Sequence, residues 1–464
     1  MYEQLKSDFE NIELILENIK NQGTDFIKNL NNRPTSVEIP TLENGVLNDI
    51  GLGALETLEL FNAQFEPIIA GSSGPRYWGF VTGGATPAAI AGDWLSAVYD
   101  QNSQSIKGQG DVSAIIELET VKLVLDLFEL PKDYLGGFVS GATMSNFTCL
   151  AVARQWFGKQ YDLDFAKDGI TKRINILSAL PHSSAIKSLS MLGIGSNNFT
   201  KVNIENGNRE SIDIQDLEQK IQALDGAPFI LITSAGTVNT VDFDDFKAIS
   251  KLKEKYNFWW HIDAAFGAFA VCSPAHKHLL SGWEIADSIT IDFHKWLNVP
   301  YENAIFLVKN EHRLAQMETF QNTNAPYLGN PLENFSYLNL LPENSRRLKA
   351  LPVWFTLKAY GKIGYQSIVE NSINMANILS QFIEKSNRFE LLAPTRLNNV
   401  CFTLSGDENQ EKVPDFLLKL NQTKMVFMTP TVYNGKKGIR ASFVNWRTQL
   451  TDIELVINEM NNII

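Results

Sequence analysis

Polar residues that could do chemistry follow several short apolar runs in the middle of the chain. The runs are rich in Ile, Val, Phe and Trp, as expected for buried strands of a mainly parallel sheet. Because the carboxyl ends of parallel strands meet at one edge, where open α/β sheets bind ligands, these polar residues are predicted to form one site. They are Ser140-Gly141-Ala142-Thr143, His182, Ser234, Asp263 and His294-Lys295.

Lys295 carries the most specific chemical signal. It follows the apolar run Ser288–Phe293 and lies between His294 and Trp296. Most lysines are solvated surface residues, but a lysine at the end of a buried strand is placed for imine formation with a carbonyl compound. The sequence therefore predicts that Lys295 forms a Schiff base.

Asp263 is predicted to be a buried carboxylate at the same edge, because it closes the apolar run Phe258–Ile262. A buried carboxylate requires a charged partner. The partner could be an arginine in a structural ion pair. It could also be the pyridine nitrogen of pyridoxal 5′-phosphate (PLP), whose protonation makes that cofactor an electron sink. Asp263 followed about 32 residues later by Lys295 favours PLP.

Small residues at positions 141–143 precede a helical stretch that begins near Asn146. Backbone N–H groups at a helix N-terminus, together with the Thr143 hydroxyl, can hold a phosphate. The alternative is an ordinary strand-to-helix turn with a capping threonine. His182 could stack on the cofactor ring and transfer protons, or it could be a hydrogen-bonded histidine at a helix start. His294 could contact the phosphate or the substrate.

Three regions differ in their sequence pattern. Residues 1–70 are predicted to be helical, with an apolar stripe that must be buried in this chain or on a second subunit. Residues 71–345 alternate strands with helices, which predicts an α/β domain. Residues 346–464 begin with a long helical pattern and continue with short strands, which predicts a small α+β domain. The stripe consists of Phe9, Ile12, Leu14, Ile15 and Ile19.

Bulk composition narrows the function classes. The chain has 464 residues, enough for two or three packed units, and its 44% hydrophobic and 20% charged residues are typical of a soluble globular protein. The net charge of −12 disfavours nucleic acid and anionic membranes as partners. Cys149, Cys272 and Cys401 lack metal-binding spacing, so no metal site is expected. Without a secretory pattern or a membrane-spanning apolar run, the expected location is cytoplasmic.

The segments described above resemble the group II PLP-dependent amino-acid decarboxylases of fold-type I, which include aromatic-L-amino-acid and glutamate decarboxylases. The resemblance extends from about Gly74 to the C-terminus. It implies a PLP-dependent transferase-like α/β domain with a mainly parallel seven-stranded sheet, an N-terminal helical segment and a small C-terminal α+β domain. It also implies a homodimer with the active site between subunits, which would bury the apolar stripe. It rests on Ser140–Asn146, His182-Ser183-Ser184, Thr233–Thr237, His261–Ala265 and His294-Lys295-Trp296.

The resemblance implies roles for matching positions. Lys295 would form the Schiff base, Asp263 would pair with the pyridine nitrogen, and His182 would stack over the ring. The reaction implied is decarboxylation of an L-amino acid to the amine and CO2, through the Schiff base and a quinonoid intermediate. The other cofactor contacts would come from Ala142, Thr143 and His294 at the phosphate, and from Ser234 and Ala265 along the ring.

Members of the family close a mobile loop over the substrate, and a tyrosine on it returns a proton to the substrate carbon. The corresponding stretch here is Thr319–Arg347, with Tyr337 as the predicted donor and Tyr327 as the alternative. In relatives, phenylalanine at that position is associated with oxidative aldehyde formation. Two positions depart from the family pattern: Asp292 replaces the asparagine of several members, and the segment 301–304 replaces the more usual sequence after the lysine.

Cues to the substrate point in different directions. Tyr77, Trp78 and Phe80 lie in a segment that contributes aromatic pocket residues in the family, although aromatic residues in such a loop are as often packing residues. Asn102 lies in a segment that resembles one touching an acidic side chain in glutamate decarboxylases. Arg440 matches an arginine that contacts a substrate carboxylate in some members. An aromatic amino acid and an acidic amino acid therefore both remain as predictions for the substrate.

Other functions on the same scaffold also stay open. The same residues would serve decarboxylation-dependent aldehyde synthesis or carbon–carbon lyase chemistry, which product analysis separates. A non-catalytic PLP-binding or scaffold protein is disfavoured, because the set of Thr143, His182, Asp263, His294 and Lys295 is complete.

Overall fold

The structure, a computed structural model, describes residues 1–41, 45–106, 110–321, 335–407 and 410–463. The strands in these ranges are β1 (Tyr134–Val139), β2 (Ile176–Ser178), β3 (Thr200–Lys201), β4 (Phe229–Ser234), β5 (Phe258–Asp263), β6 (Ser288–Asp292), β7 (Ala304–Lys309), β8 (Phe389–Leu391), β9 (Asn399–Leu404), β10 (Thr429–Tyr433) and β11 (Lys436–Ser442). The helices are α1 (Glu3–Glu10), α2 (Ile12–Lys28), α3 (Ala54–Gln64), α4 (Pro87–Tyr99), α5 (Ser113–Leu127), α6 (Ala142–Lys159), α7 (Phe165–Asp168), α8 (Ser183–Met191), α9 (Ile214–Gln222), α10 (Phe246–Lys255), α11 (Arg313–Phe320), α12 (Ala350–Lys385), α13 (Lys412–Gln422) and α14 (Leu450–Ile463).

Seven strands form the large sheet, in the order β1-β7-β6-β5-β4-β2-β3. β7 runs antiparallel to both of its neighbours, and the other pairs are parallel. Strands β4, β5 and β6 are almost wholly buried, which explains why their sequences are near-continuous apolar runs. Ser234 pairs with Asp263, and Asp263 pairs with Thr290, so the carboxyl ends of these strands lie side by side. The predicted mainly parallel seven-stranded sheet is confirmed.

Helix α6 begins immediately after β1 and not near Asn146 as the sequence predicted. Only Ser140 and Gly141 separate the last residue of β1 from the first residue of α6. This short connection aims the N-terminus of α6 at the same edge of the sheet at which β5 and β6 end.

The C-terminal part forms a four-stranded antiparallel sheet in the order β10-β11-β9-β8. Helices α13 and α14 and the second half of α12 pack against it. Helix α12 is broken at Gly361, whose φ of 57° is a left-handed conformation. The long helical pattern predicted at the start of residues 346–464 is therefore α12, and the predicted boundary near residue 346 precedes this helix.

The N-terminal helices leave much of their apolar surface uncovered. None of the residues in α1, α2 and α3 is fully buried, and the side chains of Phe9 and Leu14 are 76% and 51% exposed. This chain by itself does not bury the stripe that the sequence analysis singled out. Among the described helices, none combines the length and the apolar character that crossing a membrane requires.

Candidate active site

A cavity of about 760 Å³ opens at the carboxyl edge of the large sheet. Its walls combine side chains from strand ends that are distant in sequence with apolar side chains of the neighbouring loops. Seven of the positions singled out by sequence lie in its lining: Phe80, His182, Ser234, Asp263, Ala265, Lys295 and Arg440.

Lys295 lies in this cavity beside an acidic partner. Its Nζ is 3.1 Å from Oδ2 of Asp292, and it faces the ring of Phe266 at 5.8 Å. Burial by itself would raise the pKa of the Asp292 carboxyl, but Lys295 and His294 outweigh burial and lower that pKa. An ionised carboxylate therefore holds the lysine side chain at the wall of the cavity.

The Asp263 carboxylate at the end of β5 is held by hydrogen bonds. Asn146 Nδ2 donates to Oδ2 at 2.9 Å, and the backbone N–H of Ala265 donates to Oδ1 at 3.2 Å. Within the described ranges, no lysine or arginine forms an ion pair with Asp263, so the arginine alternative finds no support. A carboxylate that is 7% exposed and lines the cavity without an ion-pair partner among the described residues fits a positively charged ring nitrogen bound in that cavity.

His182 is the N-cap of α8 and lies in the cavity wall. Its Nδ1 is 2.7 Å from Oγ of Ser184 and accepts from the backbone N–H of the same residue at 3.2 Å. Burial lowers the pKa of His182, and the positive charges of Lys295 and Arg440 act in the same direction, against the nearby carboxylates. The imidazole is therefore neutral near pH 7, as a group that stacks on a ring and exchanges protons should be.

The N-terminus of α6 lies next to His294. No side chain caps this helix end, and a Cβ built on Gly141 would come within 3.4 Å of Cε1 of His294. Uncapped N–H groups at a helix start suit a phosphate. Ala142 and Thr143 begin the helix here and are not among the residues that line the cavity. Two roles were considered for His294, contact with the phosphate and contact with the substrate. Its position beside Gly141 favours contact with the phosphate.

The side chain of His294 is fixed from three sides. Its Nε2 is 3.2 Å from Oδ1 of Asp292, and its Nδ1 accepts from the backbone N–H of Asn303 at 3.2 Å. Its ring stacks on Tyr301 with a centroid separation of 4.2 Å. Two of these partners, Asp292 and Tyr301, lie where the sequence departs from the family pattern.

Ser234 and Ala265 lie in the cavity wall, Ser234 as the partner of Asp263 on the adjacent strand and Ala265 two residues after Asp263 in the chain. The backbone N–H of Ser234 donates to Oδ2 of Asp244 at 2.8 Å, which anchors the end of β4. The backbone N–H of Ala265 is the second donor to Asp263. Both positions can therefore line a flat ring that spans the cavity.

Two of the predicted substrate residues belong to the cavity. Phe80 lines the cavity, is 63% exposed and has a positive φ of 55°. Arg440 extends from β11, and its Nη1 donates to the carbonyl of Val238 at 3.0 Å. Burial lowers the pKa of Arg440, although the group stays cationic at any physiological pH.

Three other substrate predictions are not supported, because the side chains are used elsewhere. Trp78 is 1% exposed, donates to the carbonyl of Pro75 at 2.9 Å and packs in the core of the C-terminal part. Tyr77 stacks on Phe427 with a centroid separation of 4.8 Å and does not line the cavity. Asn102 accepts a hydrogen bond from the backbone N–H of Arg346 at 2.9 Å and lies outside the cavity lining.

Tyr337 is also outside the cavity. Its side chain is fully buried, packs edge-on against Phe335 and lies under the guanidinium of Arg346 at 4.6 Å. Burial raises the pKa of Tyr337 well above its ordinary value, Glu117 adds to the effect, and Arg346 opposes it. A phenol enclosed in this core does not reach a substrate in the cavity of the same chain. The alternative donor, Tyr327, lies outside the described residues.

Two buried polar residues near Asp263 were missed as site residues. Asn146 lies in α6 and His261 lies in β5, and both are 0% exposed. Asn146 donates to Asp263, and His261 lies within hydrogen-bond distance of Asn146, so both residues lie directly behind the Asp263 carboxylate. The sequence feature that could have identified them is a polar side chain inside an apolar segment. Such a side chain is buried only together with a hydrogen-bond partner.

Comparisons with known proteins agree with this arrangement. Residues 55–405 match the pyridoxal-dependent decarboxylase conserved domain. A phenylacetaldehyde synthase of Petunia hybrida is 28% identical over 418 residues, 84% of this chain and 80% of that protein. An aromatic-L-amino-acid decarboxylase of Bacillus atrophaeus is 26% identical over 466 residues, 95% of this chain and 94% of that protein.

Solved structures share the fold. The structure of Oryza sativa TDC with PLP and tryptamine has a TM-score of 0.87 at 20% identity, with 98% of each chain covered. The structure of mouse CSAD has a TM-score of 0.86 at 20% identity, with 97% of this chain and 98% of that chain covered. The predicted fold class, cofactor and enzyme class are confirmed. The chain belongs to the pyridoxal-dependent decarboxylase family, and its reaction is the PLP-dependent decarboxylation of an amino acid.

Proposed function

We propose that the substrate is an aromatic L-amino acid. The observation that carries this proposal is the composition of the cavity wall, which contains Lys295 together with the apolar residues Phe80, Leu180, Ile186, Phe199 and Val238. The cue for an acidic substrate depended on Asn102, whose carboxamide oxygen is bonded to Arg346 outside the cavity lining. Aromatic-L-amino-acid decarboxylases among the relatives support the same choice.

Two charged groups of the cavity are proposed to hold the cofactor. When bound, PLP supplies an electron sink for the electron pair that remains on the substrate carbon when CO2 departs. The Lys295 amine is the attachment point, and the Asp263 carboxylate keeps the proton on the pyridine nitrogen. The first turn of α6 at Ala142 and Thr143, with His294 beside it, is proposed to bind the phosphate.

His182 and Arg440 are proposed to act on the substrate side. His182 would face the ring from the cavity wall and, as a neutral imidazole, can hold or deliver a proton. Arg440 is proposed to bind the substrate carboxylate, since its charge is buried in the cavity wall and its position is fixed by Val238. Proton return by Tyr337 is not part of this proposal.

We also propose that the chain acts as a homodimer. A second cavity of about 680 Å³ lies next to the exposed stripe. It is lined by apolar residues of α2 and α3 and by apolar residues of the surface that these two helices face. A second copy would cover both, and Tyr301 connects this cavity to His294. Light scattering should give twice the mass of one chain, and Leu14→Asp, in the exposed stripe, should reduce the measured mass to that of one chain. A single-chain mass for the unaltered protein would contradict the dimer.

A cytoplasmic location is proposed as well, and it is supported by the three cysteines, none of which forms a disulfide.

The substrate is tested by measuring CO2 release with L-tryptophan, L-tyrosine, L-phenylalanine and L-glutamate. We expect release with one or more aromatic substrates and none with L-glutamate. Phe80→Ala should raise KM for the aromatic substrate about tenfold, because an apolar contact is lost. Phe65→Ala, at an aromatic side chain away from the cavity, should leave KM unchanged. Release with L-glutamate alone would contradict the proposal, and aldehyde with peroxide in place of amine would indicate aldehyde synthesis.

A further inference from the structure

Asn146 is the centre of a buried hydrogen-bond network behind the cavity. Its Nδ2 donates to Oδ2 of Asp263 at 2.9 Å and to Oγ of Ser184 at 3.0 Å, and its Oδ1 lies 2.9 Å from Nε2 of His261. An ionised carboxylate only accepts hydrogen bonds, so the amide nitrogen must face Asp263. The orientation of the carboxamide is therefore determined, and the oxygen must face His261.

This orientation determines the proton positions on His261. Because Oδ1 of Asn146 only accepts, Nε2 of His261 carries a proton. On the other side, Oγ of Ser288 accepts from Nε1 of Trp259 at 2.9 Å and so has its own proton to donate to Nδ1 of His261, 2.9 Å away. Burial lowers the pKa of His261 to about 4, although Asp263 opposes this effect, so the ring is neutral. Every polar atom in this branch is satisfied.

The second branch leads to the wall of the cavity. Oγ of Ser184 accepts from Asn146, so its single proton is available for Nδ1 of His182 at 2.7 Å. The backbone N–H of Ser184 also donates to this Nδ1, at 3.2 Å. A ring nitrogen that accepts two hydrogen bonds carries no proton. The neutral His182 imidazole therefore carries its proton on Nε2, the nitrogen that Ser184 does not contact.

We propose that Asn146 is a positioning residue that couples Asp263 to His182 through a single carboxamide. One N–H holds the Asp263 carboxylate toward the cavity. The other, through Ser184, keeps His182 in the tautomer that offers an Nε2–H donor. This inference rests on the proposed roles of Asp263 and His182. It adds that the two groups are not independent: removing the Asn146 carboxamide disturbs both, whereas removing the Ser184 hydroxyl disturbs His182 alone.

The test compares two substitutions that remove different parts of the hydrogen-bond network. Asn146→Leu removes both branches at nearly constant volume, and Asn146→Ala serves if the first variant is insoluble. Ser184→Ala removes only the branch to His182. Thr148→Val is the matched control, because Thr148 is a buried residue of the same helix whose hydroxyl, among the described residues, bonds only to the carbonyl of Met144 at 2.8 Å. Histidine 15N NMR and the dissociation constant for PLP are measured for each.

In the unaltered protein, the His182 signals, assigned with His182→Gln, should show an unprotonated Nδ1 and a protonated Nε2. Ser184→Ala should move the Nδ1 signal and change the PLP dissociation constant less than twofold. Asn146→Leu should move the Nδ1 signal and raise the PLP dissociation constant at least tenfold. The Thr148→Val variant should match the unaltered protein in both measurements.

Three results would overturn the inference. They are a protonated Nδ1 on His182 in the unaltered protein, an unmoved His182 signal in both Asn146 variants, and an unchanged PLP dissociation constant in both Asn146 variants. Failure of the proposed function is recognised separately, because the tautomer is measured without PLP. An unaltered protein that does not bind PLP or release CO2 contradicts the function, whereas its His182 signals still report on the network.

Discussion

Nζ of Lys295 lies 3.1 Å from Oδ2 of Asp292, whose other oxygen lies 3.2 Å from Nε2 of His294. The carboxylate is 2% exposed, and its two partners lower its pKa despite this burial. A formal negative charge therefore lies beside the lysine, at a position where the family resemblance implies asparagine in several members. The pair ties the end of β6 to the proposed attachment point for the cofactor.

Replacing Asp292 by asparagine should destabilise the cofactor-free protein. The substitution leaves the partly buried ammonium of Lys295 without its counter-charge, and breaking a buried pair in this way costs about 3 kcal/mol. Urea unfolding of the cofactor-free protein measures the change. Asp133→Asn is the control, since Asp133 pairs with Lys309 at 2.9 Å but is 56% exposed, and an exposed pair contributes at most about 1 kcal/mol. Equal effects of the two substitutions would contradict the assignment.

Gly83→Ala should displace Lys295. A Cβ at position 83 would overlap the carbonyl oxygen of Lys295, so the backbone that carries the lysine must move. A shift of the reacting group by about 1 Å can cost a hundredfold in rate, and we expect a loss of that order in kcat. Gly51→Ala, at a position with open space around it, should change nothing. A Gly83→Ala enzyme with unaltered kcat would show that the lysine backbone is not constrained here.

Tyr337→Phe should leave the reaction nearly unchanged. The hydroxyl is fully buried and has no hydrogen-bond partner among the described residues, so its removal should cost little or even stabilise the fold. The amine should stay the main product, and kcat should change less than twofold. If the variant instead forms aldehyde and peroxide, Tyr337 is the proton donor predicted from the family resemblance, and it must reach the substrate in another conformation.

His261 should make folding stability depend on pH between about 6.5 and 4. Burial lowers its pKa to about 4 in the folded chain, whereas an unfolded histidine takes up a proton near its ordinary value of about 6.5. Lowering the pH through this window therefore favours the unfolded chain, by up to about 3 kcal/mol from this residue. Urea unfolding at pH 4.5 and pH 7 should show that the free energy of unfolding depends less on pH in His261→Gln than in the unaltered protein. The surface substitution His278→Gln should leave the effect unchanged, and an equal effect in the two variants would contradict the argument.

The sequence was sufficient to predict the large sheet and the residues of the cavity wall that end its strands. Parallel strands are buried on both faces, so their apolar runs are distinct and polar residues such as Asp263 and Lys295 mark where they end. The reversed direction of β7 was not predictable, because an apolar run has the same composition in either direction. The two-residue strand β3 is too short to produce a pattern.

The substrate-side residues were less predictable, for a physical reason. Trp78 and Phe80 are two residues apart in one loop, yet Trp78 packs in the core of the C-terminal part and Phe80 lines the cavity. Which aromatic side chain faces a cavity depends on backbone angles such as the positive φ of Phe80, which composition does not encode. The contacts of Asn146 with Asp263 and His261 depend in the same way on the tertiary packing of α6 against β5.

The most direct test of the central claim compares Lys295→Ala with Lys309→Ala. Lys309 lies on the same sheet but outside the cavity, and its amine pairs with Asp133 on the surface. The visible absorbance of lysine-bound PLP and the release of CO2 from an aromatic L-amino acid are measured for both variants and for the unaltered protein. We predict that Lys295→Ala loses the absorbance and at least 1,000-fold of the CO2 release, whereas Lys309→Ala keeps both. An unchanged absorbance in Lys295→Ala would contradict the assignment of Lys295 as the residue that carries the cofactor.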